Sequence, residues 1–144
     1  MSLCLATAAL ALPLALQAFT LAWTHSVEKT EWRETWRVEG RELVLDEGRV
    51  RGSGAGMDPP EGAVLQDGWW VYRTAQKTPL RVPLLRLAVS GATGSGWRLC
   101  TPAAGCRDLE VWLALDGKPP AAIEIQPGLA CAPVHPSPAA SGPA

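Results

Sequence analysis

Residues Phe19 to Val38, FTLAWTHSVEKTEWRETWRV, alternate apolar and polar side chains in two runs separated by a charged bend. That period of two restricts them to a hairpin of half-buried strands. Phe19, Leu21, Trp23, His25 and Val27 share one parity of the first run; Trp32, Glu34, Trp36 and Val38 share one parity of the second. A turn at Lys29-Thr30, or over Glu28 to Glu31, pairs Leu21 with Val38, Trp23 with Trp36, His25 with Glu34 and Val27 with Trp32. Every apolar residue then meets an apolar one, and the two polar intruders meet each other. A carboxylate left alone between tryptophans would take up a proton or cost several kcal/mol, whereas a facing imidazole can donate to it.

The pattern continues as a meander. A turn at Glu39-Gly40 sets Leu43 opposite Trp36 and Leu45 opposite Glu34. Gly52 to Gly56, GSGAG, followed by Met57-Asp58-Pro59-Pro60, has too much backbone freedom for the interior of an element and reads as a loop. Val64-Leu65 and Trp69 to Arg73 flank the turn Gln66-Asp67-Gly68 as a second hairpin. Leu85, Leu87 and Val89 alternate in a segment whose start is made irregular by Pro79 and Pro83. Trp97 to Cys100 is a short strand; Leu109, Val111, Leu113 and Leu115 alternate as another; Asp116 to Pro120 turns the chain into a last strand with Ile123 and Ile125. About eight short strands with turns between them predict an all-β domain over residues 19–126, a small antiparallel sandwich or partly open barrel. Its core draws on seven tryptophans.

The two ends differ from this middle, because no charged residue precedes Glu28 or follows Glu124. Residues 1–18, MSLCLATAALALPLALQA, fit the apolar core of a signal peptide or a membrane anchor. As a helix they would span ~27 Å, short of a ~30 Å hydrocarbon core. A buried Ala/Leu helix is the alternative. Residues 127–144 are rich in Pro, Ala, Ser and Gly and read as a disordered tail, His135 included. A net charge of -1 gives no electrostatic call for nucleic acid. Cys100 and Cys106 flank the turn-forming Thr-Pro-Ala-Ala-Gly and are placed to staple a hairpin in an oxidising compartment, with Cys131 an alternative partner and one thiol left over. Membrane contact is expected only through residues 1–18, if they remain uncleaved.

Several residues could carry function. His25 and Glu34 form either a structural pair that fixes register or the polar centre of a ligand pocket, with Trp36 beside them. Ser26 invites a hydrolase reading, but it follows His25 on a strand and points to the opposite face. Ser53 lies in GSGAG, which lacks the spacing of a nucleophile elbow. That loop also lacks the lysine and the following helix of a phosphate-binding loop, although the amides around Ser53, Gly54 and Gly56 could cradle a carboxylate. Glu28 has the wrong parity to complete a metal site, and there is no Cys-x-x-Cys or paired histidine, so neither metal nor cofactor is expected. Trp69-Trp70 puts one ring on each face of its strand; Glu31, Arg33, Arg37 and Glu39 share the outer side of theirs as a solvated face.

The series His25-Ser26-Val27-Glu28, then Glu34 and Trp36, then Ser53-Gly54-Ala55-Gly56-Met57 resembles the signature of the bacterial domain-of-unknown-function 1850 family. The resemblance implies a small exported or membrane-tethered protein that works beside TAXI-type tripartite ATP-independent periplasmic (TRAP) transporters, with the transporter permease or its solute-binding protein as partner. It carries no catalytic residue. The expectation is therefore an extracytoplasmic accessory domain, periplasmic or anchored to the outer face of the membrane, that binds protein rather than catalyses. The alternatives are a binding module for a small carboxylate solute and, behind it, a Ser-dependent hydrolase.

Overall fold

The computed structural model describes residues 2–24, 30–51, 62–73, 80–89, 96–114, 120–128 and 131–134. In chain order the elements are β1 (Leu3–Ala6), β2 (Ala11–Leu14), β3 (Ala18–Thr24), β4 (Glu31–Glu39), β5 (Glu42–Arg51), β6 (Val64–Gln66), β7 (Trp69–Arg73), β8 (Arg81–Val82), β9 (Leu85–Ala88), β10 (Arg98–Thr101), β11 (Gly105–Asp108), the one-turn helix α1 (Leu109–Trp112) and β12 (Ala122–Pro127). The all-β expectation holds, as two antiparallel sheets rather than a closed barrel. The larger has the order β11-β10-β3-β4-β5-β7-β6, with β8 also on β5; the smaller has the order β2-β1-β12-β9. Phe19, Leu21, Trp36, Val38, Leu43, Leu45 and Leu99 of the first sheet pack on Leu3, Leu5, Leu87, Ile123 and Ile125 of the second to make one core.

Turn chemistry sets the registers in the larger sheet. Asp67 and Gly68 both have positive φ, 52° and 85°, as a two-residue type I′ turn requires, and Gln66 faces Trp69 across it. The expected β4–β5 turn moves by one residue. Gly40 (φ 61°) takes the first turn position and Glu39 faces Glu42, because glycine accepts a backbone that Glu39 would resist there. Trp36 consequently faces Leu45 and Val38 faces Leu43, two residues out of the expected register but on the same faces. A bulge between Thr35 and Trp36 leaves Asp46 unpaired in the ladder, where its carboxylate accepts from Arg37 Nε at 2.8 Å. Arg81 and Arg37 together hold the exposed Glu39 carboxyl below its usual range.

Two segments depart from alternation. Residues 80–89 do not form one strand: β8 joins β5 and β9 joins β12, with Pro83 at the crossing between sheets. The strand expected from Leu109 onward begins instead as the single turn α1, in which Leu113 N–H donates to Leu109 O at 3.0 Å; Leu115 lies outside the described residues. Leu109 and Leu113 are buried four residues apart while Val111 is 60% exposed, so spacing that mimics a strand serves one side of a helical turn.

The smaller sheet corrects the reading of both ends. Residues 3–6 and 11–14 are strands, not a leader helix, and β1 lies between β2 and β12 with all four of its residues buried. Thr7 folds the connection back, its Oγ1 accepting from the amides of Ala9 and Leu10 at 3.1 and 3.0 Å. Pro13 is tolerated because β2 is an edge strand. The tail begins as structure as well: β12 continues to Pro127, and Gly128 and Val134 N–H donate to Ser2 O and Thr7 O, each at 2.8 Å. A Cβ on Gly128 would stand 1.9 Å from Ser2 Oγ and 2.8 Å from its carbonyl carbon, so only glycine passes here without displacement. The disulfide Cys4–Cys131 ties the two ends together, and Cys100–Cys106 staples the β10–β11 hairpin as expected. No cysteine is left over. Among the described residues no helix is long and apolar enough to cross a membrane.

Candidate binding face

The hairpin that opened the sequence reading forms, but its register shifts by four residues. Phe19 faces Trp36, Leu21 faces Glu34, Trp23 faces Trp32 and Thr24 faces Glu31. The inner parity survives because the shift is even. The expected opposition of His25 to Glu34 does not, and neither does that of Val27 to Trp32. A longer connection lets Trp23 stack on Trp32, their centroids 6.1 Å apart and planes within 9°, and lets Trp97 tilt against Trp23 at 4.9 Å. His25, Ser26 and Glu28 lie outside the described residues, as do Ser53, Gly54 and Gly56 of the GSGAG loop.

Glu34 finds its partner on its own strand. Trp36 Nε1–H donates to Glu34 Oε1 at 3.2 Å, two residues along the same inner face. Burial pushes the Glu34 carboxyl up from its ordinary value, and the indole bond only partly offsets this. Gly48 faces Glu34, and Tyr72 faces Gly48 in the next strand. A Cβ on Gly48 would stand 2.1 Å from Tyr72 Cζ, so the missing side chain is what admits the phenol ring. Burial, and then the Glu34 charge, push the Tyr72 hydroxyl up. Among the described residues, the Glu34 carboxyl is therefore answered by an indole.

The opposite side of the same strands carries a different chemistry. Arg33 faces Arg49 directly across β4 and β5, like charges in one rung of the ladder. Each is held by a glutamate two residues before it: Arg33 Nε donates to Glu31 Oε2 at 2.6 Å, and Arg49 Nε donates to Glu47 Oε2 at 2.8 Å. Glu47 also stands 3.5 Å from Arg73 Nε, and Glu31 stands 3.9 Å from Arg98 Nη2. Trp69 of β7 receives two guanidinium groups, Arg33 at 5.3 Å and Arg51 at 5.4 Å from its centroid. The anchoring Glu47 side chain is 17% exposed and the Arg49 it holds 42%, so the carboxylate is covered and the cation is presented.

These residues enclose a groove of about 290 Å³ lined by Thr20, Arg33, Thr35, Glu47, Arg49 and Trp69. Thr20 Oγ1 and Thr35 Oγ1 are 3.3 Å apart on its floor. Whichever donates, the other keeps a hydroxyl hydrogen to offer. Alternation alone places Arg33 and Glu31 on a solvated face and marks no groove there. The relevant signal is Glu-x-Arg, which occurs at 31–33, 39–41 and 47–49, the first and last being the two copies in this groove. Only the register, including the bulge, brings the two copies side by side. Of the Trp69-Trp70 pair, Trp69 belongs to this outer groove, while Trp70 faces Val50 on the inner side.

Residues 19–109 match the family model described as a domain of unknown function, DUF1850. The chain belongs to this family. No curated protein and no solved structure matches it. The family match spans β3 to β11 and therefore contains the entire arginine groove, whereas β1, β2 and β12 lie outside it.

Proposed function

We propose that this DUF1850 domain is an extracytoplasmic accessory protein that acts by binding, not catalysis, and that it uses the outer face of β3, β4, β5 and β7 to engage an acidic surface on a partner. The observation that carries the reading is the charge segregation around Trp69. Five guanidinium groups, of Arg33, Arg49, Arg51, Arg73 and Arg98, are gathered with three carboxylates, of Glu31, Glu47 and Asp108, in a chain whose formal net charge is -1. A face with that excess steers anionic partners and fixes their orientation. Two disulfides support an oxidising compartment. The resemblance drawn from the sequence supplies the partner: the permease or the solute-binding protein of a TAXI-type transporter.

The test is capture of the transporter proteins from solubilised membranes by the tagged full chain. Capture is expected from the unaltered protein, and loss on combining Arg33→Glu with Arg49→Glu while the fold is retained by circular dichroism. Capture that survives this double reversal, or fails with the unaltered chain, removes the reading.

A further inference from the structure

The groove within this face has the features of a small-molecule site, and we infer that it binds the carboxylate of a small organic monoanion between Arg33 and Arg49, with the apolar body of the ligand against Trp69. The inference rests on reading the face as one that attracts anions, and goes further by naming a ligand class and the atoms that hold it.

Three observations converge. First, the two guanidinium groups are pre-set. Their Nε atoms donate to Glu31 and Glu47, which orients each fork, and each guanidinium carries four further N–H donors on its Nη atoms. Two forks opposed in one rung match the planar, two-oxygen geometry of a carboxylate. The structural cost of opposing two arginines in one rung makes sense if an anion sits between them. Second, the floor adds a hydroxyl donor from the Thr20–Thr35 pair, and the wall adds the indole of Trp69. A few convergent polar donors beside an aromatic wall are what orient a small ligand in a pocket, and about 290 Å³ is at the small end of such sites. Third, the lining charge selects the ligand. Three guanidinium groups in hydrogen-bond or ring contact here, of Arg33, Arg49 and Arg51, against the two carboxylates of Glu31 and Glu47 leave one positive charge to neutralise, which suits a monocarboxylate better than a phosphate dianion.

Benzoate is the probe, because it joins one carboxylate to a flat apolar body. It is titrated into the full chain by calorimetry at low, constant ionic strength, with benzamide and inorganic phosphate as controls. Benzoate is expected to bind with a Kd of about 1 mM or tighter, and benzamide not to bind. Arg49→Lys and Arg33→Lys keep the charge but lose the fork, and each is expected to weaken benzoate about tenfold or more. Trp69→Phe should weaken it less, and Arg81→Lys, on the same sheet outside the groove, should leave it unchanged. All variants are checked for retained thermal midpoints. Benzamide or phosphate binding as tightly as benzoate, or unchanged affinity in both lysine variants, overturns the inference. No benzoate binding, with transporter capture intact and lost on charge reversal, removes this inference and leaves the partner reading standing. Benzoate binding without transporter capture removes only the partner reading.

Discussion

The two sheets of this domain were assembled from different kinds of sequence. The larger one comes from the family-matched stretch 19–109, where strands such as β4 keep one side in the core and one in solvent. The smaller one draws three of its four strands from outside that stretch, and its central β1 is covered by the core on one side and by the tail, through Cys131 and Val134, on the other. A strand with a wet face shows alternation. One covered on both sides shows an unbroken apolar run, which is also how a buried helix or a signal segment reads. The contrast teaches that polarity pattern reports what a strand faces and only indirectly that it is a strand.

The largest effect that can break this comparison lies in the disulfides. Cys4–Cys131 closes 127 residues and Cys100–Cys106 closes 6. On loop-closure entropy, Cys4→Ala with Cys131→Ala should cost about 5 kcal/mol and Cys100→Ala with Cys106→Ala about 2 kcal/mol. Chemical denaturation of the oxidised proteins measures both. Equal losses would mean that the ends add nothing beyond a local clasp.

A smaller effect asks whether the two sheets share one core. Leu5 in β1 and Leu21 in β3 are both essentially fully buried in the same cluster. Leu5→Ala and Leu21→Ala should each destabilise by about 3 kcal/mol. A near-neutral Leu5→Ala alongside a costly Leu21→Ala would show that the smaller sheet is an appendage.

The smallest effect sharpens the contrast between the inner and outer faces of β4. Burial raises the Glu34 carboxyl above its ordinary 4.5, so the folded chain binds more protons than the unfolded chain between those two values. This contribution to stability is present in full below pH 4.5 and is lost as pH rises through the folded value. Glu34→Gln keeps an oxygen to accept from Trp36, and is expected to raise the thermal midpoint at pH 7 and flatten its decline above pH 4.5. A lower midpoint at pH 7 would indicate that the ionised carboxylate is held by a partner of its own.

Much of the larger sheet could be read from residues alone. The hairpin faces, the Asp67-Gly68 turn and the Cys100–Cys106 staple were each foreseeable, because each depends on neighbours in sequence. Registers were foreseeable only to within an even number of residues. Parity is written in the sequence, whereas loop length is chosen by which aromatic residues oppose each other, and Trp23 stacked on Trp32 with Phe19 facing Trp36 won over the opposition of His25 to Glu34. The groove was not foreseeable, since Arg33 and Arg49 are sixteen positions apart and meet only after the bulge at Thr35/Trp36 is counted.

By itself, then, the order of residues determined the class of structure, the inward and outward sides of the strands from β3 to β7, and the local turns, all of which follow from steric and solvation preferences over a few neighbours. Tertiary structure alone decided that the apolar beginning becomes a central strand clasped to residue 131, that Glu34 is answered by an indole, and that two Glu-x-Arg segments combine into one anion-facing groove. Those outcomes depend on which distant surfaces cover one another, and the free energy of covering belongs to the pair of surfaces rather than to either segment.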